Sequence, residues 1–439
     1  MSRLHDVNTE ASPLVVKLTE KDKGDKKGQA TVVETILNLC KTCCGTGCLA
    51  LPYAAQSGGV LVFGIGLLFL GLWNLYAVER LVRCRAYLVW AVRVGEEEQE
   101  EESQRRVPAT VEMESKPRRM KFPKESTSTL GKVAFFAFGP AGLEVMDILM
   151  TILLLGIVIS YLSAVISFLS DTPVTIGPLG DAFVIASLMA VLSLVPDLGH
   201  LSGISGVGLL VLAGAFIVIA SYGLYGFLEA PNVSLPLWPA SAVGLSHFFG
   251  VCVFGFGTVP LTYNFQESMK KPSLIIPTTA GALGCVALFY IVLGVGLSIL
   301  YPNVEGEILH ELPGTGWLPT VTRLAMAVVV VLTAPLLIVP TGELLEGKFH
   351  DNKVLVRCGV CLVSVCVAVL LPTFVQVLAF VGCACVGFVS FCVPPILHIR
   401  IVWMLKEDKK PPNGVLLLDV VMLVWGLIAT TVGTIYTLG

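Results

Sequence analysis

Charge is what this chain has least of. Asp, Glu, Lys and Arg make up only 14% of its 439 residues, and the mean hydropathy is +0.81. A soluble domain carries nearer a quarter, so polar groups cannot cover this surface and lipid must form part of its solvent. The net charge of -3 lies in a few blocks between apolar stretches, which leaves no basic face for nucleic acid. The thirteen cysteines lack the pair-and-pair spacing of a zinc site. Most lie inside apolar runs (Cys358, Cys361, Cys366, Cys383, Cys385, Cys392), where a thiol behaves as a small hydrophobe. Adjacent Cys43 and Cys44 flank a glycine motif and read as small-residue packing rather than redox chemistry. Residues 1–30 are polar and lysine-rich with no apolar stretch, so they predict a cytosolic tail and no cleaved signal peptide.

What the chain has in abundance is apolar length. About 20 apolar residues cross a hydrocarbon core of roughly 30 Å. Candidate spans are 31–56, 60–82, 148–169, 182–195 and 201–228. A sixth, interrupted span lies in the second half of 230–266, which carries no Asp, Glu, Lys or Arg; 273–300 and 324–342 follow. Residues 358–399 run 42 positions without such a charge. As one helix they would be about 63 Å long, twice a bilayer, so they predict two spans turned at Leu371-Pro372. Residues 414–438 close the count at eleven. With a cytosolic N-terminus, the inside segments are 1–30, 79–132, 196–201, 266–273, 343–358 and 399–413. They hold 27 of the 29 Lys and Arg residues, leaving Lys41 and Arg323. That is the positive-inside asymmetry. Asn232-Val233-Ser234, an N-x-[ST] sequon, falls in an outside loop, which makes Asn232 a glycosylation candidate. The 94–130 stretch holds Glu96–Glu98, Glu100–Glu102 and several arginines with few aromatics, the composition of a disordered cytosolic loop.

Two spans break their own helices. Span one carries Gly45-Thr46-Gly47 shortly before Pro52, and span six carries Gly255-Phe256-Gly257 before Pro260. Paired glycines offer little resistance to unwinding. Free backbone groups are tolerated inside a membrane only where they face protein or a cavity. Packing glycines between helices are the other reading. The two breaks lie five spans apart, where an inverted repeat of five plus five helices places its paired broken helices.

With these motifs the chain resembles the amino acid/auxin permease family of the amino acid–polyamine–organocation superfamily, and within it the proton-assisted amino acid transporters. The resemblance covers the whole membrane part. It rests on Asn38, Lys41, Gly45-Thr46-Gly47 and Leu51-Pro52, then on Leu81-Val82-Arg83-Cys84 closing span two. It continues through Pro260, Glu267-Ser268-Met269-Lys270-Lys271-Pro272 and Val339-Pro340-Thr341-Gly342-Glu343, and ends with Pro394-Pro395, Gly433-Thr434 and Tyr436. The resemblance implies an all-α integral membrane fold of eleven transmembrane helices, a LeuT-like 5+5 inverted repeat plus one helix, forming a single transporter domain over 31–439. It also implies secondary transport of small neutral amino acids by alternating access, with substrate held between spans one, three, six, eight and ten. No cofactor is implied; a proton gradient, or alternatively sodium, drives the cycle in the plasma membrane or a vacuolar or lysosomal membrane. Where relatives often carry an acidic residue in the span-six break, this chain has Gly257.

An amino acid presents a carboxylate and an ammonium. Free N–H groups at a helix start suit the carboxylate, which points to Gly45, Thr46 and Gly47, with Thr42 beside them as a further substrate-binding candidate. Carbonyls at Phe254, Gly255 and Phe256 suit the ammonium, with the two rings walling the side chain. Ser160 and Tyr161, mid-span three, are further cavity candidates. Lys41, roughly 15 Å into span one, is a costly place for an ammonium and by default marks a pathway or counter-ion; snorkelling to the interface is the plainer alternative. On the resemblance, Thr333 in span eight faces the same point, making Lys41 and Thr333 the ion-coupling pair. Glu34, Glu144, Asp147 and Asp419 lie near span ends, where an interfacial role is expected, and His247 is expected as a satisfied polar group. No intramembrane Asp pair or His ladder suggests an enzyme. An amino acid sensor without net flux would use the same residues as a transporter.

Overall fold

The structure, a computed structural model, describes residues 28–105, 128–194, 199–229, 231, 235–349, 352–370, 373–405 and 410–438. It is all-helical apart from one isolated β-bridge among these residues. Nine helices within them are long and apolar enough to cross a membrane. The other two expected spans are the interrupted segment from Val32 to Gly58 and Pro178–Ser193, which is 16 residues long.

Local chemistry explains where helices begin. Thr31 caps α1 (Val32–Cys43) as a capping box: its hydroxyl accepts from the Glu34 amide at 3.3 Å while Glu34 takes the Thr31 N–H at 2.7 Å. A 3-10 turn, Thr46–Ala50, then leads into α2 (Leu51–Gly58), which carries Pro52 in its first turn. The next helix, α3 (Val60–Arg105), outruns the expected span and covers the first part of the stretch expected to be a loop. Its glutamates are good helix formers and sustain the helix beyond the apolar part. The rest of that loop, like the 1–27 tail, Asn232 and Leu371-Pro372, lies outside the described residues. In α4 (Thr129–Ser170), Gly139 adopts φ 69° ahead of Pro140 and divides a ten-residue arm from the span itself.

Then come α5 (Pro178–Ser193), α6 (Gly199–Glu229), α7 (Ala242–Gly255), α8 (Thr262–Ser268) and α9 (Ile275–Leu300). Span eight divides at Ala334 into α10 (Trp317–Thr333) and α11 (Pro335–Phe349), and α12 (Lys353–Leu370) follows. Span ten is α13 (Phe374–Val381), a π-helical stretch Gly382–Cys392 and α14 (Val393–Met404). The last helix is α15 (Asn413–Leu438).

Span ten is the centre of the bundle and α15 its rim: their most apolar windows are 83% and 17% buried. On α15, Leu417, Val421, Trp425 and Ile428 are exposed, as lipid-facing positions should be. Spans six and ten cross with backbones touching. A Cβ at Gly250 would lie 2.2 Å from the Ala379 carbonyl, and one at Gly382 would lie 1.9 Å from that of Gly250. Only glycine permits that approach.

Polar contacts sort the span ends into faces. At one face, Ala30 pairs with the Ser268–Lys270 backbone, and Arg85 and Thr129 reach Glu267. Arg400 donates to the Ala137 carbonyl there, and Arg80 meets Asp419. At the opposite ends, Val60 bonds Pro236, Gln56 bonds Tyr301 and Val304, and Arg323 meets Asp171. Spans one, two, three, six, seven and eight thus alternate as the charge pattern predicts, with Arg80, Arg85, Lys270 and Arg400 together on one face.

Candidate functional site at two helix breaks

The two interrupted spans have the same order: helix, two or three non-helical residues, 3-10 turn, helix. In span one this is α1, Cys44 and Gly45, Thr46–Ala50, α2; in span six it is α7, Phe256 to Thr258, Val259–Leu261, α8. They run in opposite directions. The start of the first pairs with the end of the second at Ala30 and Met269. The start of the second lies against the end of the first, where a Cβ on Gly244 would be 2.6 Å from the Ser57 carbonyl.

The breaks meet in the interior. A Cβ on Gly47 would lie 3.3 Å from the Phe254 ring, and the Tyr290 hydroxyl reaches Cys43 and Gly255 carbonyls at 2.8 and 3.1 Å. Orientation gives each side a sign. The C-termini of α1 and α7 present carbonyls, equivalent to about half a negative charge each. The Thr46 and Gly47 amides head the 3-10 turn and find no backbone acceptor among the described residues. The Thr46 hydroxyl is buried without a partner as well. A buried, unsatisfied donor is costly, and here three lie within two residues.

The expected residues separate on this geometry. Gly45 sits in extended backbone (φ -119°, ψ -159°), and a Cβ there would meet nothing within 4 Å. Phe254 is half-buried and edges the break, whereas Phe256 is fully buried, with its ring 5.5 Å from Tyr290. The Thr42 hydroxyl is spent on Asn38 of its own helix, that of Ser160 on Gly156, and that of Thr333 on Val329 and Val330. Serine and threonine routinely bond back to the preceding turn in this way. Tyr161 is half-buried against the large core cluster that also holds Cys48 and Phe256. Lys41 is half-buried in the last turn of α1, where a cation complements the helix dipole. His247 is buried and bonds the Tyr53 hydroxyl through Nδ1 at 2.9 Å, but its Nε2 has no partner.

Two polar clusters were not legible in the sequence. Asp419, expected at the interface, is fully buried and accepts from Tyr76, Arg80 and His398 at 2.5, 2.5 and 2.6 Å. Its partners lie on two other spans, so no local pattern announces them. At the opposite face Arg323, 1% exposed, bonds the carbonyls of Leu309, Leu312 and Pro313. Beside it, Glu307 accepts from Ser167 and lies 3.2 Å from His310, which also pairs with Asp171. Burial pushes the Glu307 carboxyl above the usual carboxylate range.

Residues 28–438 match the family described as "Transmembrane amino acid transporter protein". The chain is 23% identical to "Amino acid transporter AVT3A" of Arabidopsis thaliana over 84% of this chain and 81% of that one. It is 22% identical to "Amino acid transporter ANT1" of the same plant over 96% and 94%. Its identity to "Vacuolar amino acid transporter 3" of Saccharomyces cerevisiae is 24%, over 54% of this chain and 36% of that one.

Proposed function

The chain belongs to the transmembrane amino acid transporter family, and on that premise we propose that it carries a small neutral amino acid together with a proton by alternating access. The observation that carries this reading is the meeting of two antiparallel breaks, with unpartnered donors on one and a helix C-terminus on the other. The substrate carboxylate takes the Thr46 and Gly47 amides and the Thr46 hydroxyl. The ammonium takes the carbonyl end of α7, and Phe254 walls the side chain. Buried donors and acceptors strengthen these contacts because little water competes. The breaks then serve as hinges between half-helices that rock within a 5+5 inverted repeat. The N-terminus faces the cytosol, in keeping with the charge asymmetry, and an acidic vacuolar or lysosomal lumen supplies the proton, in keeping with the yeast relative's name.

Lys41 is the coupling residue of this reading. Its ammonium stands in the last turn of α1, where it would repel sodium and complement the same negative helix end. The test is uptake into proteoliposomes of a panel of labelled amino acids under imposed proton or sodium gradients. Wild type should concentrate small neutral amino acids along the proton gradient. Lys41→Ala should equilibrate substrate without concentrating it. Uptake that collapses when choline replaces sodium at constant pH gradient would overturn proton coupling and make Thr333 the residue to study.

A further inference from the structure

Tyr290 lies in the middle of α9, outside both broken spans, and is fully buried. Its hydroxyl is 2.8 Å from the Cys43 carbonyl and 3.1 Å from the Gly255 carbonyl. Those oxygens belong to the last residues of α1 and α7, the two half-helix C-termini that point at each other across the site. The last carbonyls of a helix have no intrahelical donor. The Cys43 oxygen also accepts from the Gly45 N–H at 2.9 Å, but two such ends facing one another would still leave like partial charges opposed. The ring that carries the hydroxyl is held fast: Phe256 packs on it at 5.5 Å, and a Cβ at Gly255 would come within 2.8 Å of it.

We propose that Tyr290 is a positioning residue for transport: a neutral pin that holds the C-termini of α1 and α7 in register, so that both breaks gain and lose their ligand-binding geometry together. The choice of side chain is informative. A lysine or arginine would satisfy both carbonyls but would add a second cation, besides Lys41 on α1, against the α7 end that the substrate ammonium needs. A phenylalanine would leave the Gly255 carbonyl bare and the Cys43 carbonyl with the Gly45 N–H alone. Tyrosine supplies a donor and no charge. It has one hydrogen for two acceptors, so the bond can follow one carbonyl as the other withdraws. The pin therefore ties the halves without locking them. This inference rests on the reading that the two breaks bind the substrate.

The experiment compares Tyr290→Phe with Tyr301→Phe in the reconstituted full-length chain. Tyr301 follows the same helix and donates a comparable bond to the Ile219 carbonyl at 2.8 Å, away from the breaks. The first readout is the rate at which N-ethylmaleimide modifies Cys43 and Cys44, located by peptide mass spectrometry. Exposed Cys285, Cys358 and Cys366 serve as internal references. Tyr290→Phe should speed modification of Cys43 and Cys44 roughly fivefold, the worth of one net hydrogen bond, with the reference cysteines unchanged. It should raise the KM for uptake by about the same factor and leave the maximal rate within about twofold. Tyr301→Phe should change neither. Should Tyr290→Phe fail to fold, Gly255→Ala keeps the hydroxyl but pushes the ring aside, and Cys43 on the other broken span should again react faster. Wild-type modification of Cys43 in both variants, or an equal effect in Tyr301→Phe, would overturn the pin. Faster modification in a protein whose wild type takes up no amino acid would sustain the pin and overturn the substrate reading.

Discussion

Replacing Gly45 by alanine separates a ligand-binding break from a packing break more cleanly than any other single change at the site. The backbone there is extended, a region open to every residue, and the added methyl meets no atom within 4 Å. Folding should therefore not suffer. A glycine-to-alanine change at a compatible backbone position stabilises by about 0.4–1 kcal/mol through the unfolded chain. The neighbouring glycines are poorer probes: a methyl at Gly47 would crowd the Phe254 ring at 3.3 Å, and one at Gly255 would strike Tyr290 at 2.8 Å. If the open space at Gly45 is where the substrate carboxylate meets the Thr46 and Gly47 amides, the methyl displaces at least one hydrogen bond to a charged group. Such a bond is worth about 1.5–3 kcal/mol, which converts to a rise in KM of roughly 10- to 150-fold. The assay pairs initial uptake rates across a substrate series with thermal unfolding of the same purified protein. A variant as stable as wild type with an unchanged KM would refute the assignment and return the glycines to helix packing.

Burial raises the Glu307 carboxyl above its ordinary 4.5, so its favourable contribution is complete at acid pH and is lost as pH rises through the raised value. Unfolding temperature in detergent should fall over that rise in wild type, and Glu307→Gln should flatten the slope. Asp419→Ala leaves the buried Arg80 with the 4.0 Å approach to Glu79 as its remaining ion pair and should cost about 3 kcal/mol, read as a fall in unfolding temperature. Arg80→Met combined with Asp419→Leu should recover only part of it, since the Tyr76 hydroxyl and His398 Nδ1 lose their acceptor, whereas a single variant of wild-type stability would show that the cluster contributes nothing. Reporter tags at residue 110 and after Gly439 should label from opposite sides of the membrane; labelling from one side would remove the odd span number.

The sequence by itself determined where the long apolar helices lie and where two of them give way. Apolar run length and the pairs Gly45/Gly47 and Gly255/Gly257 are local properties, and the helices of the structure follow them. Local reading was weakest where polar chemistry ended a span. The glutamates after Arg93 continue α3 to Arg105 in the structure, because helix propensity does not stop where hydropathy does. Tertiary structure alone decided which polar groups meet. Asp419 finds Arg80 across 339 positions of sequence, and Tyr290 finds Cys43 across 247. It also decided which expected residues turn away, since the Thr42, Ser160 and Thr333 hydroxyls satisfy themselves on their own helices. The physical reason is one of range. Hydropathy and backbone freedom act residue by residue, so they can be read along the chain. A hydrogen bond in a low-dielectric interior depends on which helices the packing brings side by side.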